Sequence, residues 1–109
     1  MESDNVYIKH ILDAISEIEA YTSQFTPEMF KKNKLVQNGV IRELEVIGEA
    51  SKNLSPSFKT SHKQIPWKEV TGMRDKLIHG YFSVDLEIVW NTVKDKLPLL
   101  KEQLAKLKK

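Results

Sequence analysis

Residues 35–54, LVQNGVIRELEVIGEASKNL, decide the fold class, because their apolar side chains recur at helical spacing. Val36, Val40, Leu44, Ile47, Ser51 and Leu54 fall on one stripe, widened by Ile41 and by the small residues Gly48 and Ala50. Steps of three and four residues return to the same side of an α-helix, whereas a half-buried strand alternates by two. A helix with one apolar face must bury it against other elements. Within a helix interior Gly48 costs about 1 kcal/mol against alanine, so its expected use is close approach to another helix or to a second copy of the chain.

The flanking sequence supplies those elements. Residues 4–22 set Ile8, Ile11, Leu12, Ile15 and Ile18 at the same spacing, with Ser3 or Asp4 placed to cap the start. Thr26-Pro27-Glu28 opens a short accessory helix, since proline at the first helical position gives up only an amide that has no intrahelical acceptor. SPSFKTSHKQIP, residues 55–66, is rich in breakers and reads as the main loop, with room for one short turn. A helix beginning beside Pro66 then runs through WKEVTGMRDKLIH and buries Trp67, Val70, Met73 and Leu77 or Ile78. The stretch from Ser83 to Asp85 caps a last long helix with the stripe Leu86, Val89, Trp90, Val93, Leu97, Leu100, Leu104 and Leu107. Pro98 falls inside that stripe and must kink or split the helix, because it lacks an amide hydrogen and its ring crowds the carbonyl of Lys94.

The expectation is an all-α chain: an up-and-down helical bundle of four main helices plus a short accessory helix. Its 109 residues suffice for one core, so residues 1–109 form a single domain, with 99–109 a basic helical tail free to protrude. Hydrophobic residues at 40% and charged residues at 29% exclude the composition of a disordered chain. There is no cysteine, hence no thiolate nucleophile or ligand, and a reducing compartment, the cytoplasm, is expected. Glu2 and Asp4 stand where a signal peptide would be basic, and no apolar run approaches the roughly 18 residues of a membrane span.

A net charge of +2 is too small to argue for a polyanion partner, but it is unevenly spread. Six lysines lie in residues 94–109 against Asp95 and Glu102, and Lys59, His62, Lys63 and Lys68 cluster mid-chain; the plain reading of both is a solvated face. His10, His62 and His79 have no metal-site spacing, and Glu45 and Glu49, though four apart, lack a second ligand cluster, so no metal and no cofactor is expected. Trp67 and Trp90 read as packed aromatics.

One stretch carries chemistry: MRDKLIHGYF, residues 73–82, with Arg74, His79 and Tyr81. On a regular helix Arg74 and His79 point about 140° apart, so one copy needs the arginine to sweep round the helix or the last turn to unwind at Gly80. Two copies across a two-fold axis deliver both groups to one cleft more simply. These residue types suit phosphodiester cleavage in RNA. Imidazole, with an unperturbed pKa of about 6.5, can accept the proton of a 2′-hydroxyl or, as imidazolium, protonate the departing 5′-oxygen. The guanidinium fork can hold the phosphate and offset developing charge. The product is a 2′,3′-cyclic phosphate, with no metal required. Tyr81 can stack on a base, position His79 or present a modifiable hydroxyl, and Asp75 sets a carboxylate beside the arginine. The plain alternative is a surface Arg74 paired with Asp75, a His79 that caps its own helix and a core Tyr81.

Three blocks together, YIKHILDAISEIEAY (7–21), VIRELEVIGEASKNLS (40–55) and PWKEVTGMRDKLIHGYFSVDLEIVWNTVKDKLPLL (66–100), cover nearly the whole chain. They resemble the HepT-like branch of the HEPN superfamily, the toxin half of prokaryotic MNT/HEPN toxin-antitoxin modules. The resemblance implies a homodimeric helical bundle acting as a metal-independent endoribonuclease in a type VII-like module. The family's Arg-x4-6-His motif falls on Arg74 and His79, and the tyrosine of its Arg-x4-His-x-Tyr form falls on Tyr81. It further implies a minimal nucleotidyltransferase antitoxin as partner, which in some modules attaches AMP to that tyrosine. The other reading left open is a non-catalytic helical dimer that binds a nucleotidyltransferase or an RNA.

Overall fold

The computed structural model describes the backbone of residues 2–79 and 85–107, and the side chains of residues 4–73 and 85–107. Among the described residues there is no strand, and the chain is an all-α bundle. The helices are α1 (Glu2–Thr22), α2 (Pro27–Lys32), α3 (Lys34–Lys52), α4 (Pro56–Ser61), α5 (Trp67–His79), α6 (Leu86–Asn91) and α7 (Leu97–Leu107), with a π-helical turn, Thr92–Lys96, joining the last two.

The middle of the bundle is α3, which packs against both α1 and α5. Its stripe is buried as its spacing requires: Val40, Leu44, Ile47, Ser51 and Leu54 are inside, with Gly48 and Ala50. Asn33 starts the helix by accepting the Val36 amide (3.0 Å), and the Ser51 hydroxyl avoids an unpaired buried state by donating to the Ile47 carbonyl (2.7 Å). Ile8, Ile11, Ile15 and Ile18 of α1 face this stripe. At the far end Gly39 admits Tyr21, whose ring carbon would lie 3.2 Å from a β-carbon there.

Asp4 does not cap α1, which begins two residues earlier. Its carboxylate instead accepts the Ser55 amide (2.8 Å) and the Ser55 hydroxyl (2.8 Å), while Ser55 caps α4 through the Phe58 amide (3.2 Å). This clamp joins the start of α1 to the chain just beyond the end of α3, and so fixes the two helices antiparallel. The 55–66 loop therefore holds one short helix, α4.

The last long helix bears out the expected stripe, with Val89, Val93, Leu97, Leu100 and Leu104 buried. The α-helix is interrupted just before Pro98, where the π turn separates α6 from α7. The Leu97 amide donates five residues back to Thr92, and this wider turn carries the chain past the position where proline has no hydrogen to give. Residues 99–107, read above as free to protrude, lie on the bundle: Leu104 is fully buried, Lys101 pairs with Glu19 at 2.8 Å, and Gln103 donates to the Gln64 carbonyl at 3.2 Å. Phe30 of α2 is buried with its ring centroid 5.3 Å from that of Trp90, which ties the accessory helix to α6. Among the described residues no helix is long and apolar enough to cross a membrane.

Candidate active site

The Arg–His pair sits on α5, whose start is firmly built. The Trp67 amide donates to Ile65 (2.8 Å), the Val70 amide to Pro66 (3.1 Å), and the Trp67 indole to the His62 carbonyl (3.0 Å). Trp67 and Val70 are buried in the core that α3 shares, so the first half of the helix is anchored and the second half carries the motif. Arg74 and His79 both belong to α5, which remains α-helical through His79. Their side chains and that of Asp75 lie outside the described residues, as does Tyr81 altogether.

Backbone register alone has a consequence. Five residues of continuous α-helix separate Arg74 from His79 by about 140° around the axis and about 7.5 Å along it. The structure thus brings the two to the same helix end but not to the same face. The helix shows no unwinding through His79, and Gly80, where the last turn was expected to open, lies outside the described residues. Downstream, Asp85 starts α6 by accepting the Glu87 and Ile88 amides at 3.0 and 3.2 Å.

Beside α5 runs an apolar groove that the sequence reading missed. A cavity of about 160 Å³ opens between α5 and the α6–π–α7 helix, floored by Leu44, Val70 and Leu100 and edged by Met73, Ile88 and Leu99. Ile88 and Leu99 are each 56% exposed, and Glu69, Asp95 and Lys96 stand on the rim. The available signal was the position of those two apolar residues off the buried stripe. The π turn forms part of the wall through Thr92, Asp95 and Lys96.

A second cavity, about 330 Å³, lies between α1 and α3 and is lined by Tyr7, His10, Arg42 and Glu45 among others. No described residue of α5 or α6 lines it. His10 meets Tyr7 edge to face at 6.2 Å, and His62 packs on Phe58 at 4.4 Å. Among the described residues no group of three or more histidines and carboxylates is placed to share a metal ion.

Comparison with known proteins points to one family. A family model described as Ribonuclease HepT-like matches residues 11–107. The chain is 50% identical over 103 residues to a Thermococcus cleftensis protein named "Probable ribonuclease HepT", covering 94% of each. It is 38% identical over 107 residues to a "Putative RNase" of Caldanaerobacter subterraneus subsp. tengcongensis, covering 98% of this chain and 96% of the relative. It is also 47% identical over 102 residues to a longer Methanocaldococcus jannaschii protein named as a gamma-glutamylcyclotransferase and putative RNase, of which it covers 46%. No solved structure matches the chain.

Proposed function

This chain belongs to the HepT-like ribonuclease family, and from that premise we propose that it is a metal-independent endoribonuclease, the toxin of a type VII-like toxin-antitoxin module in the cytoplasm. The observation that carries this reading is the Arg74-x4-His79-x-Tyr81 motif, begun on α5 inside the stretch matched to the family. His79 takes the proton of a 2′-hydroxyl as its oxygen attacks phosphorus. The bond from phosphorus to the 5′-oxygen breaks, and an imidazolium supplies the proton that the leaving oxygen needs. Arg74 holds the phosphate and stabilises the transition state. The products are a 2′,3′-cyclic phosphate and a 5′-hydroxyl.

The working unit is a homodimer, supported by the 140° offset on an unbroken helix: a site with both groups on one phosphate takes them from two copies. A nucleotidyltransferase antitoxin restrains it by moving AMP from ATP to the Tyr81 hydroxyl, with pyrophosphate leaving, which adds a phosphate and bulk two residues from His79.

Mapping the ends of cleaved RNA tests the core of this. Wild-type protein leaves cyclic phosphates in the presence of EDTA, whereas His79→Ala leaves RNA intact while staying folded. Arg74→Ala slows cleavage by about 100-fold or more, the cost of removing one such transition-state donor. Cleavage by His79→Ala at the wild-type rate removes the assignment. Incubation with ATP and the cognate transferase adds AMP to wild type and none to Tyr81→Phe, read by intact mass. Asp75 beside Arg74 and the net charge of +2 favour the competing reading, a dimer that binds its transferase or an RNA without cutting; that dimer forms the complex and yields no cyclic phosphate.

A further inference from the structure

The basic stretch that leads into α5 is left unused by cleavage itself, and the structure makes it a built surface. Between Glu49 and Glu69 the sequence carries Lys52, Lys59, Lys63, Lys68 and His62 and no acidic residue. The backbone bearing them is pinned. His62 Nδ1 donates to the Phe58 carbonyl (2.9 Å), since a carbonyl only accepts, and the His62 carbonyl accepts the Trp67 indole (3.0 Å). Ile65 and Trp67 are buried, and Gln103 bonds the Gln64 carbonyl (3.2 Å). On this frame Lys63 and Lys68 are exposed and Lys59 half-exposed, and none of the three is ion-paired among the described residues.

The outer face of α5 continues from there. Lys68, Gly72 and the backbone of Asp75 and His79 lie within about 60° of arc and about 16 Å of helix length. A β-carbon at Gly72 would meet nothing within 4 Å, so nothing among the described residues asks for glycine there. Yet an interior helical glycine costs roughly 0.5–1 kcal/mol against alanine. The half-buried Gly72 leaves room for something outside the chain to come close to the backbone.

We infer that this face is a track for the RNA strand flanking the cleaved bond. The strand leaves the reacting phosphate at the His79 end, passes close to the helix at Gly72, and sets its following phosphates against Lys68, Lys63 and Lys59 with His62 beside them. The inference rests on the RNA-cleaving reading and extends it from one phosphate to a substrate several nucleotides long. Lysine contacts of this kind position a strand without reading its sequence, and a pinned loop gives up little freedom on binding.

The test uses the full chain, ordinary RNAs of different length, and a long RNA with 2′-O-methyl groups that cannot be cut. The triple variant Lys59→Gln, Lys63→Gln, Lys68→Gln raises KM for a long RNA about tenfold more than for a very short one, with kcat held. Its affinity for the resistant RNA falls less steeply with salt, the slope of log affinity against log salt dropping by about 2, or about 0.7 for each phosphate that is no longer neutralised. Gly72→Ala melts higher, keeps the wild-type oligomeric state, and binds the long resistant RNA several-fold more weakly. An unchanged affinity and salt slope in the triple variant overturns the track. So does an altered oligomeric state in Gly72→Ala, which would give that face to a protein chain, or loss in the triple variant of binding to anionic vesicles with RNA binding kept. Wild type that binds the resistant RNA through these lysines but cuts none defeats the cleavage reading alone. Wild type that cuts short and long RNAs with equal KM defeats the track alone.

Discussion

A carboxylate that is only 4% exposed is tolerated when its charge is bonded, and Asp4 meets that condition with the amide and the hydroxyl of Ser55. The Ser55 amide does most to hold the Asp4 carboxyl below its ordinary range; burial pushes the other way, and the Ser55 hydroxyl adds to the lowering. A carboxyl depressed by folding contributes stability above its unfolded value, about pH 4, and that contribution is lost as pH falls through the lower folded value. Asp4→Asn keeps one acceptor but loses the charge, so it costs about 1–2 kcal/mol at neutral pH, read from urea unfolding. The gap between wild type and variant closes below about pH 4. A gap that widens in acid would mean that the native carboxyl is raised. The clamp was hidden in the sequence because its partners are 51 residues apart, and an aspartate near a helix start fits a cap equally well.

At the scale of elements, what was legible was whatever depends on local periodicity. The stripes of α1 and α3, the start of α5 beside Pro66 and the Asp85 cap follow from neighbours within one or two turns. The π turn was not legible there, because the same double step of four, Val36, Val40 and Leu44, occurs in α3 without one. Val89, Val93 and Leu97 are two successive steps of four, and eight residues of plain α-helix overshoot two turns by about 80°. The wider turn absorbs that overshoot, so all three are buried on one side and Pro98 follows where its missing hydrogen does little harm. Pro98→Ala therefore shifts stability by less than about 1 kcal/mol, whereas a proline strained in a continuous helix would yield about 3 on removal. Deleting Lys94 or Asp95 is the harsher test. It closes the wider turn to a plain one: seven residues then run from Val89 to Leu97 and fall about 20° short of two turns, so Leu97, Leu100 and Leu104 keep their side and a cooperative melting transition remains. A deletion variant with no melting transition would show that the wider turn does not absorb an extra residue.

For the whole molecule, the Arg-x4-His motif is legible from residue order, but the partner each group meets is not, because that depends on how two copies face each other. Continuity of α5 through His79 sharpens the question into a measurement. As homodimers, His79→Ala is inactive and Arg74→Ala keeps about one hundredth of the activity or less. If each site takes its arginine from one copy and its histidine from the other, a mixed dimer holds one complete site and one site lacking both groups. Random exchange of equal amounts makes half of the dimers mixed, so the mixture regains about one quarter of wild-type activity. If both groups come from one copy, every site in the mixture lacks one of them and nothing is regained. Exposed Ile88 and Leu99, beside the apolar groove, supply a control on the surface involved. Charge placed there by Ile88→Asp with Leu99→Asp disturbs the core little, and dissociation by that pair, seen in sedimentation, puts the two-fold contact on this face. Regained cleavage in the mixture, abolished again when both partners carry the groove substitutions, joins the offset on α5 to the assembly. Silence in a mixture in which mixed dimers are shown by mass to have formed returns the site to a single copy.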